Sequence, residues 1–375
     1  MDKINFGEIR VGSKARQYIK ETLDNNWLTM GPRVKDFEEK WEQLFGYKYN
    51  VAMANGTCGV TAACMALYDY GARPGDYVVC PALSFCATWN AIRFAGFIPY
   101  PVDIDLETLQ INTNALPNKD IGNIAGVCAV NLMGRTCNLD ILQRYAKDLS
   151  APLIVDNCEA YGATLDNKYS LEYGDFEVTS HFIAHLVPIS EFSTVSCKTL
   201  RNDVILRSIR SHGRSPDSDY FQHDRFGGNF KPTDLHACIG LEAIDNFHTH
   251  FQQRKQNLQY MIDNLSEQTL ERVVIVKEDC RRINAPHALS ITFLSKDRNR
   301  FTHLTNSLDN NKIMWKRNFG AITQHKAFTQ WIPLPQYPIA EHVGRYGLHI
   351  GCHEYLSQDD LDRIVTTING AICES

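Results

Sequence analysis

Several kinds of segment are missing from this chain, and each absence removes a class of protein. No stretch of its 375 residues approaches the roughly 20 apolar residues that a membrane-spanning helix needs, so no membrane partner is expected. The N-terminus, Met1-Asp2-Lys3-Ile4-Asn5-Phe6-Gly7-Glu8, lacks the basic and apolar regions of a secretory leader, and the cytoplasm is the expected compartment. A basic excess is missing as well: 38 lysines and arginines stand against 43 acidic residues, for a net charge of −5. Nucleic-acid binding leaves a basic footprint, so no nucleic-acid partner is expected. The twelve cysteines include no Cys-x-Cys or Cys-x-x-Cys pair, which argues against an iron–sulfur cluster or another metal held by closely spaced thiolates. Thiols that lie in apolar runs, as Cys128 and Cys238 do, read as buried and reduced. Repeats and low-complexity tracts are also absent.

What is present is ordinary in bulk and informative in order. Apolar residues make up 44% and charged residues 22%, the balance of a globular protein large enough for more than one domain. Through the first two-thirds, helical patterns alternate with short apolar runs. The helices fall near Val34 to Phe45, Thr57 to Tyr68, Thr88 to Ala95 and Leu139 to Lys147. The runs fall near Tyr77 to Cys80, Pro99 to Val102, Ile124 to Val130 and Leu153 to Asp156, with further strands at Glu177 to His181 and Thr194 to Thr199. Such alternation predicts an α/β fold with a mostly parallel sheet between helices. From Leu235 to about Leu265 the spacing of Leu241, Ile244 and Phe247 predicts one long helix. Strands near Val273 to Val276 and His287 to Thr292 follow, then helices near Phe301 to Leu308 and Asp360 to Ala371. The last begins at Ser357-x-x-Asp360, a variant capping box. The division expected is a large domain over residues 1–250 and a small C-terminal α/β domain over 251–375.

Three segments have the makings of a site. Ala54-Asn55-Gly56-Thr57 is a turn opening a helix. Free N–H groups at such a helix start point at an anion, glycine allows close approach, and the threonine hydroxyl adds a donor, all of which suit a phosphate. Leu153-Ile154-Val155-Asp156-Asn157-Cys158-Glu159 is an apolar run ending in acid, a buried strand that delivers carboxylates to the carboxyl edge of a sheet. An aspartate there either caps the next helix or faces a ligand. Ser180 and His185, in Thr179-Ser180-His181-Phe182-Ile183-Ala184-His185-Leu186, sit in a loop between two predicted strands.

Phosphate turn, strand-end aspartate and a Ser-x-x-x-x-base segment, in that order, resemble the sugar-aminotransferase and 3-dehydratase branch of the fold type I pyridoxal phosphate (PLP) enzymes. The resemblance extends over nearly the whole chain. It includes Leu28 to Glu38, Cys80 to Thr88, Val102-Asp103-Ile104-Asp105, Arg210-Ser211-His212-Gly213, Gly228-Asn229-Phe230-Lys231-Pro232 and Ile239-Gly240-Leu241. The family implies a large domain with a mixed, mostly parallel sheet of seven strands, and a smaller C-terminal domain. It implies that Asp156 faces the cofactor's pyridinium nitrogen, where a carboxylate keeps the ring protonated and able to accept electrons. It further implies that Phe85 stacks on the ring, that Gly56, Thr57 and Ser180 meet the phosphate, that Glu159 faces the phenolic oxygen, and that Asn229 reaches the phosphate of a partner subunit. The functional unit would then be a homodimer with shared active sites.

His185 stands where the family carries its cofactor-bonding lysine, a replacement that resembles the sugar 3-dehydratases of this branch. An imidazole forms no such bond, but with an ordinary pKa of about 6.5 it takes and gives protons near neutrality. The resemblance therefore implies a PLP/PMP-dependent removal of the C3 hydroxyl from a nucleotide-linked 4-keto-6-deoxy sugar. Pyridoxamine phosphate (PMP) would be regenerated by an amino donor such as glutamate, with His185 as acid and base. The segment Ser190-Glu191-Phe192-Ser193 departs from the family's Glu-Gly-Gly turn, and a reshaped loop is expected there. Arg214-Ser215-Pro216 departs too, and substrate contacts there are expected to differ.

Other readings remain open on the sequence. An aminotransferase would use another lysine, the nearest being Lys168 and Lys198. A degenerate fold would bind cofactor, sugar nucleotide or protein without catalysis. Asp103-x-Asp105 is either a metal-binding pair of a glycosyltransferase or a polar turn after a strand, and His248-x-His250 reads as helix surface.

Overall fold

The computed structural model describes residues 2–118, 121–215, 221–330 and 333–373. Fifteen strands are described: β1 (Tyr49–Met53), β2 (Tyr77–Pro81), β3 (Leu83–Ser84), β4 (Ile98–Val102), β5 (Ile124–Val130), β6 (Leu153–Asp156), β7 (Thr164–Leu165), β8 (Phe176–Ser180), β9 (Ser193–Cys197), β10 (Val273–Ile275), β11 (Arg282–Ile283), β12 (Ala288–Phe293), β13 (Trp315–Arg317), β14 (Gly320–Ala321) and β15 (Gly347–Gly351).

The first sheet has seven strands in the order β1-β9-β8-β6-β5-β2-β4. Neighbouring strands from β8 through β4 pair in parallel, while β9 runs antiparallel to both β8 and β1. The fold is thus the mixed, mostly parallel α/β arrangement expected. Its strands are apolar along their length because both faces are covered. On β6, Ile154 packs with Leu67 and Phe97 on one side, whereas Leu153 and Val155 pack with Leu142 and Val127 on the other. The helix Pro32–Phe45 shows how local rules agree with the packing. Proline opens it, Gly46 closes it in the left-handed region at φ 72°, and Val34, Phe37, Trp41 and Phe45 form its buried stripe.

A four-stranded antiparallel sheet, β10-β12-β15-β13, follows in sequence. Leu289, Ile291, Leu348 and Ile350 on one face meet Leu304 and Ile364 of the helices Arg298–Asn310 and Gln358–Cys373. Strand alternation then sends Ser290, Lys316 and His349 to the opposite face, where His349 stands in register with both Ser290 and Lys316. Two separate two-stranded pairings, β11·β7 and β14·β3, join this part to segments that follow β6 and β2 in sequence. The N-terminal residue Ile4 packs into the core of the second sheet.

Most expected elements fall where the sequence put them, and the capping box forms: Ser357 Oγ receives the Asp360 N–H at 3.2 Å and donates to its carboxylate at 2.7 Å. The single helix from Leu235 to Leu265 does not form. It is two helices, Asp234–Asp245 and Phe247–Asp263, separated at Asn246, whose ψ of 0° departs from the regular helical value. Among the described residues no helix is long and apolar enough to cross a membrane, and the twelve cysteines are free thiols.

Candidate active site

The carboxyl ends of β5, β6 and β8 open into a cavity of about 710 Å³ bordered by Gly56, Thr57, Phe85, Asp156, Glu159, Ser180 and His185. Seven positions drawn from four separate segments of the sequence therefore meet in one place. Asn229 is exposed and does not border the cavity, although the neighbouring Phe230 does; the segment is tied by the Ser211 bridge and by the Ala54 N–H to the Phe230 carbonyl at 2.8 Å.

At the cavity floor the helix Gly56–Met65 begins. Asn55 caps it, its Oδ1 accepting the Cys58 N–H at 2.9 Å. A Cβ built on Gly56 would stand 3.2 Å from Ser180 Cβ and 3.4 Å from Cys158 Sγ, so glycine lets the end of β8 close against the helix start. The start of the helix, the Thr57 side chain and the Ser180 hydroxyl thereby meet along one side of the cavity.

Asp156 ends β6 and is buried. Thr88 donates to its Oδ2 at 2.9 Å and is itself bonded to Ser84 at 2.9 Å, while the Cys158 N–H reaches Oδ1 at 3.3 Å. Burial raises its pKa, and these donors oppose the rise. The carboxylate is thus fixed by neutral groups, with no cation spent on it by the chain. Phe85, 57% exposed, presents an aromatic face on the rim, its ring 5.8 Å from that of Phe319.

His185 sits in the loop between β8 and β9, in a turn closed by its N–H to the Phe182 carbonyl at 2.9 Å. Its Nδ1 is buried without a hydrogen-bond partner. Burial pushes its pKa well below the ordinary imidazole value, His287 adds to the depression, and Glu159 works against it. Glu159 is held from two sides: its Oε2 accepts the Met133 N–H at 2.9 Å and its Oε1 lies 3.3 Å from His287 Nε2. Burial alone would raise the Glu159 carboxyl; His287 and His349 overcome it and hold the pKa at about 2.

Sequence reasoning missed His287, His349 and Lys316, all of which border the cavity. Lys316 and His349 reach it from the inward face of the second sheet and His287 from the residue before β12, all more than 100 residues away in sequence. His349 donates through Nδ1 to Asn318 Oδ1 at 3.0 Å, since the Asn318 amide nitrogen is already aimed at Ser290 Oγ at 2.9 Å and the Ile291 carbonyl at 3.3 Å. Burial brings its pKa down to about 3. Lys316 Nζ lies 4.2 Å from the Phe6 ring centroid and 6.0 Å from that of Phe182, and partial burial lowers its pKa. The sequence signal for His349 was a polar residue between apolar neighbours on a short strand; Lys316, beside Arg317, and His287, ahead of β12, carried none.

Other residues singled out in the sequence take plainer roles. Lys198 donates to the Glu172 carbonyl at 3.0 Å and Lys168 closes a turn with Leu165; neither borders the cavity. The Asp103 carboxylate accepts the Ile339 and Ala340 N–H groups at 3.1 and 2.9 Å, capping the helix Pro338–Tyr346, and Asp105 accepts the Glu107 and Thr108 N–H groups at 3.0 Å. His250 lies 3.4 Å from Glu354. Phe192 is 1% exposed and packs on Phe37 with centroids 4.8 Å apart. The positive φ of that loop, 124°, falls on Ser190. Pro216 lies outside the described residues.

Comparison with known proteins agrees with this geometry. The model of the DegT/DnrJ/EryC1/StrS aminotransferase family matches residues 10–369, and the chain belongs to that family. It is 25% identical over 359 residues to the GDP-perosamine synthase of Escherichia coli O157:H7, covering 95% of each chain. It is 27% identical over 269 residues to the GDP-4-keto-6-deoxy-D-mannose 3-dehydratase of Escherichia coli O55:H7, covering 66% of this chain and 69% of the other. The solved E. coli GDP-4-keto-6-deoxy-D-mannose 3-dehydratase with bound hydrated PLP superposes with a TM-score of 0.87 at 22% identity, over 98% of this chain and 100% of that one.

Proposed function

We propose that this protein is a PLP/PMP-dependent dehydratase that removes the C3 hydroxyl of a nucleotide-linked 4-keto-6-deoxy sugar. One observation supports the reading: the cavity is bordered by His185, an imidazole whose Nδ1 has no protein hydrogen-bond partner. The surroundings fit the cofactor. The Gly56 approach to Ser180 leaves a cradle that a Cβ would crowd, and Asp156 offers a buried carboxylate satisfied only by neutral donors. Gly56, Thr57 and Ser180 would hold the phosphate, Asp156 the pyridinium nitrogen, Glu159 the phenolic oxygen and Phe85 the ring face, while Asn229 would serve the site of a second copy in a homodimer.

When bound, the cofactor supplies an amine for the C4 ketone and an electron sink beside C3. The chain's own part is proton movement and exclusion of water. His185, kept neutral by burial and by His287, removes a proton and then delivers it to the C3 hydroxyl as it departs. Glutamate would serve as amino donor. GDP is the favoured nucleotide because the named relatives act on GDP-sugars or make them.

A second reading, amino transfer to the same class of sugar, draws on the GDP-perosamine synthase relative and on Lys316, an amine on the cavity wall. Incubation with PLP, glutamate and a panel of 4-keto-6-deoxy nucleotide sugars, read by mass spectrometry, separates the two. The dehydratase reading expects loss of oxygen; gain of nitrogen would establish amino transfer, and no change with any sugar would point to a fold retained for binding alone.

A further inference from the structure

The loop that carries His185 is held by a buried cation. Arg254, on the helix Phe247–Asp263, is 1% exposed, and its Nη1 donates to the Ala184 carbonyl at 3.0 Å. That carbonyl belongs to the peptide joining Ala184 to His185. The N–H of the same peptide donates to the Phe182 carbonyl at 2.9 Å, so both polar atoms of the peptide that leads into the imidazole are fixed. Gly7 packs on the same stretch, where a Cβ would stand 2.7 Å from Ala184 Cα.

Arg254 is itself aimed. Its Nε donates to Glu354 Oε2 at 2.5 Å, and the two side chains are 1% and 3% exposed. Glu354 lies between β15 and the helix Gln358–Cys373. The residue before it is fastened to the Arg254 helix, since the Asn257 amide donates to the His353 carbonyl at 2.8 Å, and His250 of that helix lies 3.4 Å from the other Glu354 oxygen. One guanidinium thus joins the segment after β15 to the loop between β8 and β9.

Stability alone does not account for this arrangement. Burying an ion pair carries a desolvation cost that apolar side chains of similar volume avoid, and Arg254 Nη2 is buried without a hydrogen-bond partner among the described residues, which adds to that cost. The imidazole of His185, for its part, needs support from outside. Its Nδ1 has no hydrogen-bond partner, so the main chain and the neighbouring side chains decide where the ring stands.

We infer that Arg254 is a positioning residue for the base: aimed by Glu354, it fixes the Ala184–His185 peptide and so sets where the imidazole stands in the cavity. The inference rests on the reading above that His185 moves the proton, and it adds what holds that group in place. Misplacing a reacting group by about 1 Å costs up to about 100-fold in rate. Arg254 does not border the cavity, so substrate and cofactor should bind as before when it is replaced.

The test compares the parent with Arg254→Met, which keeps an unbranched stem and no donor, and Arg254→Lys, which keeps a charged donor but lacks the fork that spans Ala184 and Glu354. Thermal melts establish that each variant is folded, and Arg254→Lys serves alone if Arg254→Met does not fold. Histidine isotope-labelled at Cε1 gives the His185 imidazole its own NMR signal in the full chain, with and without PLP, assigned by its loss in His185→Gln. Turnover of a 4-keto-6-deoxy nucleotide sugar is measured separately. The expected result is a displaced His185 signal in both variants, with kcat lower by about tenfold or more in Arg254→Met and by less in Arg254→Lys, and KM and cofactor affinity within about twofold of the parent. An unmoved signal in a folded variant, an unaltered kcat or a loss confined to KM would each overturn the assignment. A parent that converts no keto sugar removes the reaction, and the signal then decides alone: displaced in the variants, it upholds the hold of Arg254 on His185, and unmoved, it removes it.

Discussion

The imidazoles of His185 and His287 stack with ring centroids 5.4 Å apart and planes 30° from parallel. One comes from the loop after β8 and the other from the residue preceding β12, so the two sheets meet at the proposed base. His287 also lies 3.3 Å from Glu159, which makes it the link between the base and the acid beside it.

Replacing His287 with glutamine should raise the pKa of His185, because His287 is one of the groups depressing it while Glu159 pulls the other way. A base must be unprotonated to act, so the acid limb of kcat/KM against pH should move to higher pH. An unmoved limb would show that His287 does not bear on the base.

The Glu159 carboxyl is depressed from about 4.5 to about 2. A depressed carboxyl contributes stability that is fully present above its unfolded pKa and is lost as pH falls through the folded one. The contribution is about 3 kcal/mol. The parent should therefore lose Tm relative to Glu159→Gln between pH 4.5 and pH 2, and parallel curves for the two proteins would refute the assignment.

His185→Lys should abolish deoxygenation and create a covalent cofactor attachment that borohydride makes permanent, detected by peptide mass spectrometry. In the parent, borohydride should label no lysine. Labelling of Lys316, the lysine bordering the cavity, would favour amino transfer, and undiminished deoxygenation by His185→Lys would remove His185 from the mechanism.

Asp156→Asn keeps the Thr88 contact within reach but removes the charge. Cofactor should still bind, while its conversion by glutamate slows by ~100-fold or more, followed as a change in visible absorbance. A rate near that of the parent would place the pyridinium nitrogen elsewhere.

Gly134 holds the segment that leads to His287. It has φ 79°, and a Cβ there would meet the Ala285 carbonyl oxygen at 1.9 Å. Gly134→Ala should cost more than about 2 kcal/mol in a denaturant titration, through both the backbone conformation and the clash. An unaltered midpoint would mean that this contact yields easily.

The sequence by itself determined the parts that depend on neighbours along the chain. Strands Ile124–Val130 and Leu153–Asp156 keep the bounds their apolar runs imply, the Ser357 cap forms, and the phosphate turn opens a helix as its residues dictate. The family resemblance carried by the order of Gly56, Phe85, Asp156, Ser180 and His185 implied one site, and the converging strand ends of the parallel sheet bring them to one cavity. The tertiary structure decided what joins across sheets: the antiparallel course of β9, the break at Asn246 that splits an unbroken apolar stripe, and above all the approach of His287, Lys316 and His349 to His185. Lys316 and His349 lie on short strands, where a polar side chain shows only that one face is not core, and His287 immediately precedes one. Packing of the second sheet against the first makes that face the wall of the cavity, and there the charge state of Glu159 and the basicity of His185 are set by groups that no local pattern connects.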